Sequence, residues 1–208
     1  MVRKAERPRH IVDTTLQLAA EGQWAQIGLR DIANAAGVSL AELHELYPSK
    51  VAIIRGWSDM LDATVLELSN SMDPEDSPRD RLFDVLMRRF DAMQEHRAAI
   101  AAILQASCRD PLAGLCMASG VTRSMRWMLE AAGIRAVGPK GRMITRGLAG
   151  VWLATLRVWL KDDSADMAAT MAALDRNLIR AERLVSMLPT GRRRRTPDAE
   201  SEADAAPA

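Results

Sequence analysis

From Met167 to Leu188 the apolar residues Met167, Met171, Leu174, Leu178, Ala181, Val185 and Leu188 recur in alternating steps of four and three. A strand would return to one face every second residue, so this seam is helical. The preceding stretch, Met143 to Leu160, is apolar on nearly every face, with Ile144, Val151, Leu153, Leu156, Val158 and Leu160 joining Leu148, Trp152 and Trp159. A helix of that kind must be covered on more than one side. Leu148, Trp152, Trp159, Met171, Leu174, Leu178 and Val185 are therefore predicted to meet their copies in a second chain as a four-helix interface, the alternative being burial within the one chain.

The rest of the chain is punctuated as helices too. A first helix is predicted from about Pro8, suited to a first helical turn, to a stop at Gly22, and a second runs from Leu29 to Ala36 with Gly37 as its left-handed stop. Ser39 and Glu42 have capping-box spacing for a third helix, Leu40 to about Tyr47, which Pro48 ends. Ser49 caps a fourth, in which Ile54, Trp57, Leu61, Val65 and Leu68 share a face. Acids and prolines between Met72 and Pro78 mark a boundary. The expected class is all-α: a basic arm over 1–9, a three-helix unit over 10–57 whose fourth helix continues to about 71, a long-helix bundle over 78–190, and a disordered tail over 191–208.

Composition narrows the function. The chain is 48% hydrophobic and 26% charged, as globular proteins are, and 28 basic residues nearly cancel 27 acidic ones. Any nucleic-acid or membrane partner must then be met by a local patch. No apolar run reaches 18 residues, and MVRKAERPRH has no apolar signal core, so a cytoplasmic protein without membrane insertion is expected. Cys108, Cys116 and three scattered histidines form no ligand set, and no nucleophile elbow or phosphate loop occurs, so no metal, cofactor or catalytic residue is expected. Asp162-Asp163 is read as a helix stop before Ser164 caps the last helix.

Three short helices with a glycine turn between the second and third form a helix-turn-helix, in which the third lies in a major groove while the second braces it. The run Leu29-Arg-Asp-Ile-Ala-Asn-Ala-Ala-Gly-Val-Ser39, with Leu43, Tyr47-Pro-Ser-Lys50 and Ile54, closely resembles the DNA-binding signature of TetR-family transcriptional regulators. The resemblance covers about Ile11 to Trp57. It implies a helix-turn-helix head on a ligand-binding and dimerisation bundle, acting as a ligand-responsive regulator, in expectation a repressor, on a palindromic operator. Ile32, Ala33, Gly37, Val38, Leu43 and Tyr47 would hold the unit's geometry. Arg30, Ser39, Ala41, His44 and Lys50 would lie at or near the DNA backbone, and Leu40, Glu42 and Glu45 on the base-facing side. Arg3, Lys4, Arg7 and Arg9 form an arm suited to phosphates or a minor groove. The implied partners are double-stranded DNA, a second copy and a small hydrophobic effector. Met93, Met117, Met125, Trp127 and Met128 are candidates for the effector pocket.

The chain departs from the family pattern at several positions. Gly28 stands where Thr or Ser usually caps the second helix, His44 replaces a frequent Tyr, and Leu46 a frequent His. Between Met1 and Trp57 seven basic residues face six acidic ones, a thin excess for a DNA reader. The C-terminal run from Gly147 to Asp163 is also similar to TetR-fold accessory proteins of ubiquinone biosynthesis, which hold lipid and have an eroded helix-turn-helix. That likeness implies the alternative of a lipid- or isoprenoid-binding protein that has lost DNA binding.

Overall fold

The computed structural model describes residues 5–22, 24–69, 75–108 and 111–187. Regular structure among them is helical: α1 (Arg7–Ala20), α2 (Leu29–Ala35), α3 (Leu40–Leu46), α4 (Lys50–Ser69), α5 (Pro78–Met93), a short 3-10 turn (Gln94–His96), α6 (Arg97–Ser107), α7 (Pro111–Ala131), α8 (Gly138–Trp159) and α9 (Ala168–Ser186). Arg3, Lys4, Met72, Asp73, Pro74, Leu188 and the tail with Arg192 to Arg195 lie outside the described residues. Arg7 and Arg9 belong to α1, whose first turn accommodates Pro8, and so are not part of a flexible arm.

Two apolar clusters organise the helices. In the head, Ile11, Leu16, Ile32, Leu43 and Ile53 are buried together. Residues 10–57 do not close this core alone, because Ala99 and Ile103 of α6 complete it. The body core joins Val65, Val85, Phe90, Met128, Trp152, Trp159 and Leu174. Phe90 stacks on Trp152 with ring centroids 4.2 Å apart. Trp57 of α4 packs against both clusters, and so does no work for one alone.

The α8–α9 pair corrects the expected interface. Leu148, Trp152, Trp159, Leu174 and Leu178 are all buried within the one chain, where they knit α8 and α9 to α5 and α7, while Met171 and Val185 are half-buried. A heptad seam identifies a helix that needs an apolar neighbour and does not say which chain supplies it. The apolar side chains left outside on this pair are Met143 and Leu184, 49% and 66% exposed. Between them an open groove of about 660 Å³ runs past Ile144, Gly147, Val151, Ala181 and Val185.

The turn between α8 and α9 is built on Asp162, which is buried. Its carboxylate accepts from the Thr170 N–H and hydroxyl, both at 2.7 Å, and from the Ser164 N–H at 3.2 Å and hydroxyl at 2.5 Å. The Ser164 hydroxyl in turn accepts from the Ala168 N–H at 3.0 Å. The stop read at Asp162-Asp163 is thus an eight-residue tie that fixes where α9 begins, with Met167 left-handed at φ 53° just before it. Hydrogen bonds from Ser164 and Thr170 hold this carboxyl well below the usual carboxylate range.

Candidate nucleic-acid interface and body cavity

The α2–α3 unit is shaped by short-range contacts. Gly37 takes φ +63°, a conformation an L side chain resists, and its position lets α3 leave α2 sharply. Ile32, Ala33, Leu43 and Tyr47 are buried behind the turn and Val38 is half-buried. The Tyr47 hydroxyl donates to the Pro8 carbonyl at 3.4 Å, joining the end of α3 to the start of α1. A residue absent from the sequence reading makes this possible: a Cβ on Gly56 of α4 would lie 2.6 Å from the Tyr47 ring. A lone glycine in a long apolar helix was the available signal for that close approach.

At the start of α3, the Ser39 hydroxyl accepts from the Glu42 N–H at 3.1 Å and the Ser39 N–H donates to the Glu42 carboxylate at 3.0 Å. The Glu42 carboxylate also receives the Arg7 guanidinium at 2.5 Å. Bonds from Ser39, and then the charge of Arg7, hold the Glu42 pKa below its ordinary value. Glu42 is therefore engaged as a cap and as the anchor of α1, not presented to a base, because a carboxylate at the third helical position reaches back to its own N-terminus. Ser39, Leu40, Ala41, His44 and Glu45 are exposed on α3. Arg30 is exposed on the first turn of α2, where the Gly28 N–H donates to the Asp31 carboxylate at 2.8 Å.

Lys50 begins α4 and turns inward. Its ammonium donates to the carbonyls of Trp24 at 2.6 Å and Ile27 at 2.8 Å, and sits 4.1 Å from the centre of the Trp24 ring. Partial burial draws its pKa below the ordinary lysine value. An ammonium carries three N–H bonds, so these two acceptors leave one for another partner. The lysine thus fixes the α1–α2 connection from beneath.

In the body, a cavity of about 380 Å³ lies among α4, α5, α6, α7 and α8, and Met93 and Met117 line it. The other candidates for the pocket do not. Met125 and Met128 are wholly buried in the body core, Trp127 is 53% exposed, and none of the three lines this cavity or the α8–α9 groove. Successive residues of one helix point about 100° apart, so no run of neighbours can all face one cavity. Sequence reading also missed a buried polar cluster that reaches the cavity wall through Arg89 and Ser58. Asp62 of α4 and Arg89 of α5 are both buried and ion-paired, the Ser124 hydroxyl donates to Asp62 at 2.7 Å, and Arg89 also reaches the Ser58 hydroxyl at 3.3 Å. Burial draws the guanidinium down from its ordinary value while the Asp62 carboxylate opposes the change. The partners are 27 and 62 residues apart in sequence, so no local pattern announces them.

No group of three or more potential metal ligands is found among the described residues, and no helix there is long and apolar enough to cross a membrane.

Comparison with known proteins gives the head and body one context. No family model matches the chain. It is 25% identical over 82% of its length to a Mycobacterium tuberculosis protein named as the mycofactocin biosynthesis transcriptional regulator MftR, covering 88% of that protein. It is 24% identical over 78% of its length to the helix-turn-helix-type transcriptional repressor KstR of Rhodococcus jostii, covering 78% of it. Among solved structures, a TetR transcriptional regulator from Nitrosomonas europaea superposes with a TM-score of 0.67 at 26% identity, covering 84% of this chain and 97% of that one. In its signature on α2–α3, its all-helical architecture and these relatives, the chain is similar to TetR-family transcriptional regulators.

Proposed function

We propose that the chain represses transcription as a homodimer that binds a palindromic operator and releases it when a small molecule enters the body. The observation that carries this reading is α3: a helix capped at its N-terminus by the Ser39–Glu42 box, locked to α1 through Glu42 and Arg7, and exposing Ser39, Ala41, His44 and Glu45. A rigid helix with one open face is what major-groove reading requires. Arg30, Ser39 and His44 serve phosphate oxygens, the remaining Lys50 N–H is a further donor to them, and Leu40, Ala41 and Glu45 meet base edges. This is binding chemistry, and no reaction is assigned to the chain.

The second copy covers the α8–α9 groove. Exposed Met143 and Leu184, with Ala181 and Val185 between them, supply the apolar contact, and Gly147 and Gly150 let a neighbouring helix approach closely. In such a dimer the two α3 helices must stand about 34 Å, one turn of DNA, or a matched multiple apart. The body controls that spacing through α4 and α6. Ile100 and Leu104 of α6 line the 380 Å³ cavity, while Ala99 and Ile103 of the same helix complete the head core. A molecule that binds better to a displaced α6 shifts the population away from the DNA-matched spacing.

Ala41→Glu tests the assignment of the groove-facing surface. The position is exposed, so the helical circular-dichroism signal and melting temperature should stay as in the unmodified protein, while binding to DNA from the chain's own upstream region is lost. Unaltered DNA affinity in this variant would remove α3 from the interface.

A further inference from the structure

The cavity among α4, α5, α6, α7 and α8 has a chemical character that its volume alone does not convey. Its walls are largely apolar, with Trp57, Met93, Ile100, Leu104, Met117 and Leu156 among them. Its charged lining is Arg55, Arg89 and Arg157, with no Asp or Glu among the described residues that line it. Arg89 is 5% exposed, and its guanidinium is held on one side by Asp62 and Ser58 and lies 5.3 Å from the centre of the Trp152 ring. Its Nε, also buried, finds no hydrogen-bond acceptor among the described residues.

A buried N–H without an acceptor is costly, and the cost is removed by whatever brings an acceptor to it. Asp62 is oriented by the Ser124 hydroxyl at 2.7 Å and bonds the far end of the guanidinium, so the fork is held in place before any ligand arrives. Setting Asp62 against Arg89 still leaves the positive charges of Arg55 and Arg157, both exposed at the cavity mouth. An anion is therefore favoured over a neutral acceptor, and charge-assisted bonds to a guanidinium are the stronger kind. The cavity's volume of about 380 Å³ holds roughly a dozen groups of about 30 Å³ each. That is room for one acidic head and a compact apolar body.

We infer that this cavity binds an amphipathic monocarboxylate, its carboxylate on the Arg89 Nε–H and its apolar body against Trp57, Met93, Ile100 and Leu104. The inference rests on the proposed effector-responsive function for its biological meaning, and on the cavity alone for its chemistry. Entry of the apolar body between α4 and α6 acts on the two helices that support the head.

Calorimetric titration of the full chain with decanoate, with decan-1-ol as the uncharged analogue, reads the head-group preference directly. Decanoate should bind at least ten-fold more tightly than decan-1-ol, about 1.4 kcal/mol. A second acid, 2-naphthoate, separates the two sources of this chemistry: tighter binding of decanoate assigns an acyl chain, tighter binding of naphthoate a fused-ring acid, and either supports the site. Arg89→Met made together with Asp62→Leu, so that no charge is stranded, should lower decanoate affinity at least ten-fold and decan-1-ol affinity far less. Arg157→Ala, on an exposed residue, should narrow the preference by a few-fold without touching the core. Equal affinity for acid and alcohol, binding of neither, or a preference that survives the double substitution would overturn the assignment. The DNA readout is separate. Decanoate that binds as described but leaves operator affinity unchanged supports the site and removes the effector mechanism, whereas specific operator binding without an acid preference keeps the DNA-binding reading and overturns the site.

Discussion

Head and body are both helices packed on helices, but they use their charged groups differently: those in the head are partly exposed, and the Asp62–Arg89 pair in the body is buried. In the head, Lys50 lies on two neutral carbonyls and Glu42 closes a capping box, so each charged group fixes a turn or a helix end. In the body, Asp62 and Arg89 meet across α4 and α5, and Arg89 borders a cavity with its Nε–H unpaired among the described residues. Charge in the head secures local geometry, and charge in the body is left beside a cavity. The same family of contacts thus serves two purposes within one chain, separated by where the apolar packing stops.

The largest expected effect breaks the body's side of this contrast. Arg89→Met alone leaves the Asp62 carboxylate buried without its cation and should cost about 3 to 5 kcal/mol in urea unfolding. Adding Asp62→Leu should recover most of that loss, because apolar replacement of a buried pair is often neutral. If the single and double variants are equally unstable, the pair is not the electrostatic unit described. Next in size is Gly56→Ala in the head, where the new Cβ meets the Tyr47 ring at 2.6 Å. Overpacking costs about 1 to 3 kcal/mol, of which the better helix propensity of alanine returns about 1, so thermal melting should show net destabilisation. An unchanged or raised melting temperature would mean that Tyr47 does not rest on α4.

The head was more legible in the sequence than the body, for a physical reason. Gly37, the Ser39–Glu42 box and the Pro48 stop act over a few residues, so their spacing in the chain is their spacing in space. Glu42 was seen as part of the cap and also placed against bases, and the structure gives it to the cap because Arg7, thirty-five residues away, occupies its other oxygen. In the body, the heptad spacing of Leu174 and Leu178 marked their burial correctly as apolar but not the chain that buries them. Trp127 was read as cavity lining from its residue type and is exposed, while Met93 and Met117 reach the cavity from helices whose approach no local pattern encodes. Arg89 and Asp62 were invisible for the same reason.

Smaller effects sharpen the comparison. Lys50→Met removes two charged hydrogen bonds, and with the site only partly buried the stability loss should be about 1 kcal/mol. DNA affinity should fall by the same factor for operator and random sequence, since phosphate contacts and head geometry carry no base information. A loss confined to the operator would make Lys50 a specificity determinant. The smallest effect is acid dependence at the α8–α9 turn. The Asp162 pKa is depressed in the folded chain, so its contribution is present above the unfolded carboxylate value, near 3.9, and is lost as pH falls below it. The stability difference between the unmodified protein and Asp162→Asn should be constant above about pH 5 and shrink below about pH 4. A difference that does not vary with pH would show that the carboxylate's charge is immaterial to the turn.

The central claim is that α3 reads DNA. Fluorescence anisotropy of the unmodified protein on labelled fragments from its own upstream region, at two salt concentrations and with random DNA as competitor, tests it most directly. Saturable binding that survives competitor, titrates at two chains per site and weakens steeply with salt is the predicted result. Absence of sequence-preferring binding even at low salt would contradict it, and would make Gly28 and Glu45 marks of a head that no longer reads DNA above a body that still holds a ligand.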